Sequence, residues 1–281
     1  MRTVLVVGAR GRIGGALLAR LQRAEGIRVV AAARSPLPDG TPTVLVDLAD
    51  PPSLRRAVLD VRPDAVVHLA GLTGAACEAS PSLVELVNVT APLVVREASS
   101  ECGADTMVFP STSAVYGDRY DGAAGEDDGL DCRSAYAASK LAAERALVSS
   151  WRASAGTVPV LLRPFNVFGP GFDDSLVEKL RRSSVDGSVV LRGWQGFARD
   201  YVHVSDVVDV VSELVARPVV HEPTTLNVGS GRSTSNAELV GLLSRRHDLR
   251  WTLEDGPESR TQADCTRLAT LLGWSPSLRP A

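Results

Sequence analysis

The stretch Val4-Leu5-Val6-Val7-Gly8-Ala9-Arg10-Gly11-Arg12-Ile13-Gly14 constrains this chain more than any other, because it joins a short apolar run to three evenly spaced glycines and then to a helical pattern. An apolar run of that length, stopped by glycine, reads as a strand buried on both faces. The glycines permit a tight turn and close backbone approach, and the helix that follows offers unpaired N–H groups at its positive end. Gly8, Gly11 and Gly14 therefore suit an anion such as a dinucleotide pyrophosphate. An ordinary glycine-rich turn between strand and helix is the plain alternative.

The same alternation continues. Thr3 to Val7, Arg28 to Ala32, Val44 to Val46, Ala65 to Leu69, Met107 to Pro110 and Val158 to Leu162 read as strands. Between them, Ile13 to Ala24, Pro51 to Leu59, Pro81 to Ser100 and Ala135 to Trp151 carry helical spacing, two of them opening on a tolerated proline. Strands alternating with helices predict an α/β fold, a Rossmann-like doubly wound parallel sheet. Asp118 to Arg133 is acidic and glycine-rich, and reads as a loop. After Gly169 the pattern becomes irregular, with helices expected over Ser175 to Arg182, Ser205 to Ala216 and Asn236 to Arg246. We therefore expect a dinucleotide-binding domain over 1–168 and a smaller, interleaved C-terminal substrate-binding region over 169–281.

The 281 residues carry a formal net charge of −3, which steers the chain toward neither nucleic acid nor an anionic membrane surface. The run Val4 to Val7 is too short for a signal core or a membrane span, so a cytoplasmic protein with a small-molecule partner is expected. Cys77, Cys102, Cys132 and Cys265 are scattered, so no metal site is expected and the thiols should be reduced.

An acidic residue ending the second strand would bind an adenosine 2′-hydroxyl and repel a 2′-phosphate. Here the strand ends Ala31-Ala32-Ala33-Arg34. Arg34, with Arg10 from the glycine turn, can accept the 2′-phosphate, so NADP(H) is preferred and NAD(H) stays as the alternative. Both arginines could instead be solvated loop residues. Asp47 is a candidate for the adenine amino group or a simple cap.

Tyr136 and Lys140 lie four residues apart on a predicted helix, which places them on one face. A free phenol titrates near pKa ~10, so proton transfer at neutral pH improves if an ammonium stabilises the phenolate. A hydroxyl in Phe109-Pro110-Ser111-Thr112-Ser113-Ala114-Val115-Tyr116-Gly117 could hydrogen-bond a substrate carbonyl. Downstream come Arg163-Pro164-Phe165-Asn166-Val167-Phe168-Gly169-Pro170 and Arg199-Asp200-Tyr201-Val202-His203-Val204.

With these motifs, and with His68-Leu69-Ala70-Gly71, Asn88-Val89-Thr90, Asn227-Val228-Gly229 and Leu272-Gly273-Trp274 in the same order, the chain resembles an extended short-chain dehydrogenase/reductase. Its nearest branch is the nucleotide-sugar epimerase, dehydratase and reductase family. The resemblance implies Tyr136 as acid/base, Lys140 as its pKa partner and Thr112 as the active hydroxyl, with Ser111 and Ser113 beside the substrate. It implies cofactor contacts from Arg12, Ile13, Leu48, Leu69, Ala70, Gly71, Pro164, Asn166 and Val167, with Asn166 also near substrate. Asn88 either supports the active-site geometry or simply bonds helix to helix. His203 and Asp206 read as structural. Arg199 and Arg260 match positions near a substrate diphosphate, or else pair with acids such as Asp200 and Glu258. Trp194, Gln195 and Phe197 line a sugar pocket or pack within a loop. A homodimer is implied by analogy.

Three chemistries remain. Dehydratases of this kind carry Asp-Glu directly after the active Thr, where this chain has Ser113 and Ala114, so dehydration is disfavoured. Redox epimerases keep NAD bound and usually show the acidic second-strand end that is missing here. The reading is thus an NADPH-dependent ketoreductase acting at C4 of a nucleoside-diphosphate 4-keto-6-deoxyhexose, in deoxysugar or antibiotic biosynthesis. An epimerase, a reductase of a polyketide ketone, and a dinucleotide-sensing scaffold are the alternatives.

Overall fold

A computed structural model describes residues 1–118, 122–277 and 280, so positions 119–121 of the loop expected over Asp118 to Arg133 lie outside the described residues. The first part of the chain runs β1 (Arg2–Val7), α1 (Arg12–Leu21), β2 (Ile27–Ala33), β3 (Thr43–Leu45), α2 (Pro51–Val61), β4 (Ala65–His68), α3 (Ala75–Ala79) and α4 (Pro81–Val84). A π-helical segment (Glu85–Thr90), α5 (Ala91–Glu101), β5 (Thr106–Pro110), a 3-10 turn (Ser113–Tyr116), α6 (Ala135–Ser154) and β6 (Val158–Pro164) follow. The remainder is β7 (Asn166–Phe168), α7 (Leu176–Asp186), β8 (Val189–Arg192), β9 (Phe197–His203), α8 (Val204–Ala216) and β10 (Thr224–Val228). It closes with β11 (Ser233–Ser235), α9 (Asn236–Leu243), β12 (Trp251–Glu254), β13 (Ser259–Arg260) and α10 (Thr266–Leu272).

The chain divides into two compact units, the first comprising Met1–Val115, Cys132–Leu162 and Val208–Thr225, the second Tyr116–Asp131, Arg163–Val207 and Leu226–Ala281. In the first, a seven-stranded sheet has the order β10-β6-β5-β4-β1-β2-β3. The pairings from β3 through β6 are all parallel. This is the doubly wound arrangement expected, and β4, β5 and β6 are buried along their whole length as such strands should be. Leu5, Val7, Val66, Met107 and Phe109 of the sheet pack with Ala91 and Val95 of α5 and with Ala143 and Leu147 of α6. Arg96 is wholly buried among them, its guanidinium donating to the Ala155 carbonyl and to the hydroxyls of Ser150 and Ser154.

Local chemistry explains the helix starts. Asp50 caps α2 by accepting from the Ser53 N–H, and Ser134 caps α6 by accepting from the Ala137 N–H. The single helix expected over Pro81 to Ser100 is instead broken by the π segment. Pro92 has no N–H to return to the preceding turn, which permits the wider winding there.

In the second unit β9 pairs with β7 and β13 in parallel and with β11 antiparallel, while β8 and β12 form a separate parallel pair. Phe168, Val177, Leu180, Leu191, Tyr201 and Leu239 form its core. No helix among the described residues is long and apolar enough to cross a membrane.

Candidate active site

At the carboxyl end of β1 the backbone demands glycine. Gly8 has φ +86°, and a Cβ there would lie 2.6 Å from the Ala70 backbone nitrogen. A Cβ on Gly14 would lie 2.4 Å from the Gly8 carbonyl oxygen, so this turn closes onto α1 only with hydrogen at both positions. Gly11 is the N-cap of α1 and supplies no side-chain cap, and no acid stands in the first turn. The leading N–H groups are therefore available to an anion.

A cleft of about 960 Å³ opens over this turn in the first unit. It brings together Gly8, Arg10, Gly11, Arg34, Asp47, Leu48, Leu69, Ala70 and Gly71. Arg12, Ile13 and Gly14 stand outside that lining: Arg12 is exposed and Gly14 is buried under the turn. Ser35, also in the lining, was not anticipated. Its hydroxyl accepts from Arg10 Nη1 at 2.8 Å, while Arg34 beside it is exposed. Its place next to Arg34 at the end of β2 was the available signal. Asp47 spends one carboxylate oxygen on the Ala49 N–H, 3.0 Å away, in a local turn.

The catalytic candidates gather on α6 and the end of β5. Tyr136 stands in the first turn of α6, and Thr112 Oγ1 accepts from the Ala114 N–H at 3.2 Å. Ser139 Oγ donates to the Tyr136 carbonyl at 2.8 Å and accepts from Asn88 Nδ2 at 2.9 Å. Asn88 Oδ1 accepts from the Leu72 N–H at 2.7 Å, so this side chain of the π segment ties the cleft loop to α6. Of the two readings of Asn88, the bond from one helical segment to another is present. Ser111 is buried with no hydrogen-bond partner for its hydroxyl among the described residues, and Ser113 opens the 3-10 turn.

Lys140 is buried, with Nζ 4.2 Å from the centroid of the Phe109 ring. Burial pushes its pKa down to about 8 against the raising influence of Glu144. His68, wholly buried with Phe109 stacked alongside, is pushed down to about 3 by burial and then by Lys140. Burial raises the Tyr136 pKa, and the groups that favour its phenolate are Thr112 and then Arg12. The Lys140 Nζ is turned onto the Phe109 face.

Trp194, Arg199 and Arg260 lie in the second unit, as do Pro164, Asn166 and Val167, whereas Ser111, Thr112 and Ser113 lie in the first. Arg199 donates to the carbonyls of Ala198 and Ser259 and stacks 3.8 Å over the Phe197 ring. Asp200 is fully buried, its carboxylate accepting from Ser230 N–H and Oγ, Gly231 N–H and Ala263 N–H. Asn166 Nδ2 donates to the Asp200 carbonyl at 3.0 Å. Arg260 is exposed on β13. Trp194 stacks on Trp251 with ring centroids 4.9 Å apart. His203 Nδ1 bonds Ser205 Oγ, and Asp206 accepts from the distant Ser277 N–H. No group of three or more His, Cys, Asp or Glu that could hold a metal ion occurs among the described residues.

Residues 4–229 match the NAD dependent epimerase/dehydratase family. The UDP-glucose 4-epimerase of Neisseria meningitidis serogroup A is 28% identical over 299 residues, covering 94% of this chain and 88% of that protein. The GDP-6-deoxy-D-mannose reductase of Pseudomonas aeruginosa is 29% identical over 251 residues, covering 83% of this chain and 81% of that protein. The solved structure of MoeE5 in complex with UDP-glucose and NAD shares 33% identity at a TM-score of 0.84, covering 99% of this chain and 94% of that one.

Proposed function

The chain belongs to the NAD dependent epimerase/dehydratase family, and from that premise we propose that it is an NADP(H)-dependent ketoreductase of a nucleoside-diphosphate 4-keto-6-deoxyhexose. The observation that carries the reductase over its alternatives is the rim of the cleft, where Arg34 and Ser35 rather than an acid follow β2 and Arg10 of the glycine turn reaches the Ser35 hydroxyl. Two guanidinium groups beside a hydroxyl suit a 2′-phosphate, and a phosphorylated cofactor suits a reductase that exchanges it at every turnover.

The glycine turn and the uncapped start of α1 fit a dinucleotide pyrophosphate. When bound, the dinucleotide supplies the hydride. Thr112 holds the ketone oxygen by a hydrogen bond and Tyr136 gives it a proton. Lys140 contributes a buried amine poised near neutrality and holds the nicotinamide ribose. Ser113 and Ala114 offer no acid or base for loss of water, which disfavours dehydration. Arg199 and Arg260 are the candidates for the substrate diphosphate.

An NAD-dependent epimerase is the second reading, favoured by the names of the Neisseria relative and of the MoeE5 complex. The test is loss of NADPH absorbance with a dTDP-4-keto-6-deoxyhexose, with NADH and an aromatic polyketide ketone in parallel. Turnover of the sugar with NADPH supports the proposal, turnover of the polyketide alone replaces the substrate, and tight dinucleotide binding without ketone reduction favours an epimerase or a sensing scaffold.

A further inference from the structure

Lys140 and Lys179 are the only two lysines in the chain, and Lys140 is the one that must keep its head group out of water, at 6% exposure. A buried ammonium survives only if an anion or a set of acceptors replaces its hydration. Several elements supply groups around it. From β5, Phe109 presents the face of its ring, an attraction without a countercharge. From β4, the His68 imidazole is kept neutral by burial, so it adds no second cation. From α3, Cys77 is a buried thiol whose pKa burial raises, and it too stays neutral. Along α6 itself, Tyr136 precedes Lys140 by one turn and Glu144 follows it by one turn.

Glu144 is the carboxyl side chain in that set. It is 3% exposed, a rare position for a glutamate, and the spacing of four residues puts it on the face of α6 that carries Lys140 and Tyr136. A carboxyl on the same rigid helix is held at a fixed distance without any loop to order. Among the influences on Lys140 it is the largest that opposes burial.

We propose that Glu144 is a positioning residue for the catalytic pair, its buried carboxylate being the counter-anion that keeps Lys140 an ammonium one helical turn from Tyr136. This rests on reading Tyr136 and Lys140 as the proton-transfer pair, yet the pairing can be measured without any turnover. Glu144 acts through Lys140 and touches no reacting atom. Without it, the desolvation of Lys140 is opposed only by weaker influences, and the neutral amine becomes the resting form near neutral pH.

The experiment labels the full chain with lysine carrying carbon-13 at Cε. Only Lys140 and Lys179 report, and Lys179→Arg assigns them. In Glu144→Gln the Lys140 midpoint should fall by roughly one to three units while Lys179 stays in place, Glu144→Asp should recover part of the shift, and the alkaline limb of kcat/KM should move with it. A folded Glu144→Gln protein with an unmoved Lys140 midpoint overturns the proposal. If Glu144→Gln does not fold, the melting temperature of Glu144→Gln in the Lys140→Met background decides: recovery when the amine is removed supports the pairing, and no recovery overturns it. A shifted midpoint in a protein that reduces no ketone upholds the pairing and refutes the ketoreductase reading.

Discussion

His68 should make the fold acid-sensitive by a calculable amount. Its ring is wholly inside the first unit, neither nitrogen has a hydrogen-bond partner among the described residues, and its pKa falls from 6.5 to about 3 through burial and the neighbouring Lys140. In the unfolded chain the ring returns to an ordinary pKa of ~6.5. Between the two values the unfolded chain binds a proton that the folded chain does not. The stability held above about pH 6.5 is therefore lost progressively as the pH falls toward about 3. The full shift is worth roughly 5 kcal/mol, and roughly half of it is lost between about pH 7 and about pH 4.5.

The perturbation is His68→Leu, which removes the titrating group while keeping an apolar side chain against Phe109. Its absolute stability at neutral pH will differ through lost ring packing, so the informative quantity is the change with pH. Urea unfolding of both proteins at the two pH values should show wild type losing roughly 2 to 3 kcal/mol more than the variant. Equal losses would mean that the folded protein protonates His68 as readily as the unfolded chain does, refuting the placement of a neutral imidazole beneath Lys140.

Three further outcomes are expected. Tyr136→Phe should lower turnover by roughly two to four orders of magnitude while leaving the NADPH dissociation constant nearly unchanged, as stopped-flow and fluorescence titration would show; near-normal turnover sinks the acid/base role. Arg34→Glu should move preference from NADPH toward NADH, and an unchanged ratio of the two specificity constants would remove Arg34 from the cofactor site. Arg96→Met strips the Ala155 carbonyl and the Ser150 and Ser154 hydroxyls of their buried donor, so urea unfolding should show a loss of roughly 3 kcal/mol; a loss under about 0.5 kcal/mol would show that water or other groups satisfy the end of α6 equally well.

Which parts of the fold were legible follows from which parts are buried on both faces. β1, β4, β5 and β6 are short continuous apolar runs because helices cover both sides of the sheet, and such runs stand out in a sequence. The second unit offers no such contrast. Ser233–Ser235 pairs with β9 as a polar three-residue strand, and Ser259–Arg260 joins the same strand with two residues. The π segment is equally silent, since its residues keep a helical apolar pattern and only Pro92 hints at the change. At the site, spacing revealed that Tyr136 and Lys140 share a face, but where Nζ points is decided by Phe109 on a different element. Glu144 lies at the same spacing again, and only the structure shows that it is buried together with Lys140.

The cleft and the catalytic helix are coupled through one amide. The carboxyl ends of β1, β2 and β4 carry Gly8, Arg34 and the Leu69 to Gly71 loop, while Tyr136 and Lys140 stand on α6, an element that is distant in sequence. Asn88 bridges them, accepting from the Leu72 N–H, donating to the Leu72 carbonyl at 3.1 Å and donating to Ser139 on α6. All three bonds come from one residue in the wide turn of the π segment. A movement of the cleft loop that breaks them must leave a buried amide unpaired, which costs about 1 to 3 kcal/mol. The cleft loop and the Tyr136 turn are therefore held in register by the fold itself, which is what the proposed delivery of a hydride and a proton to one carbonyl requires.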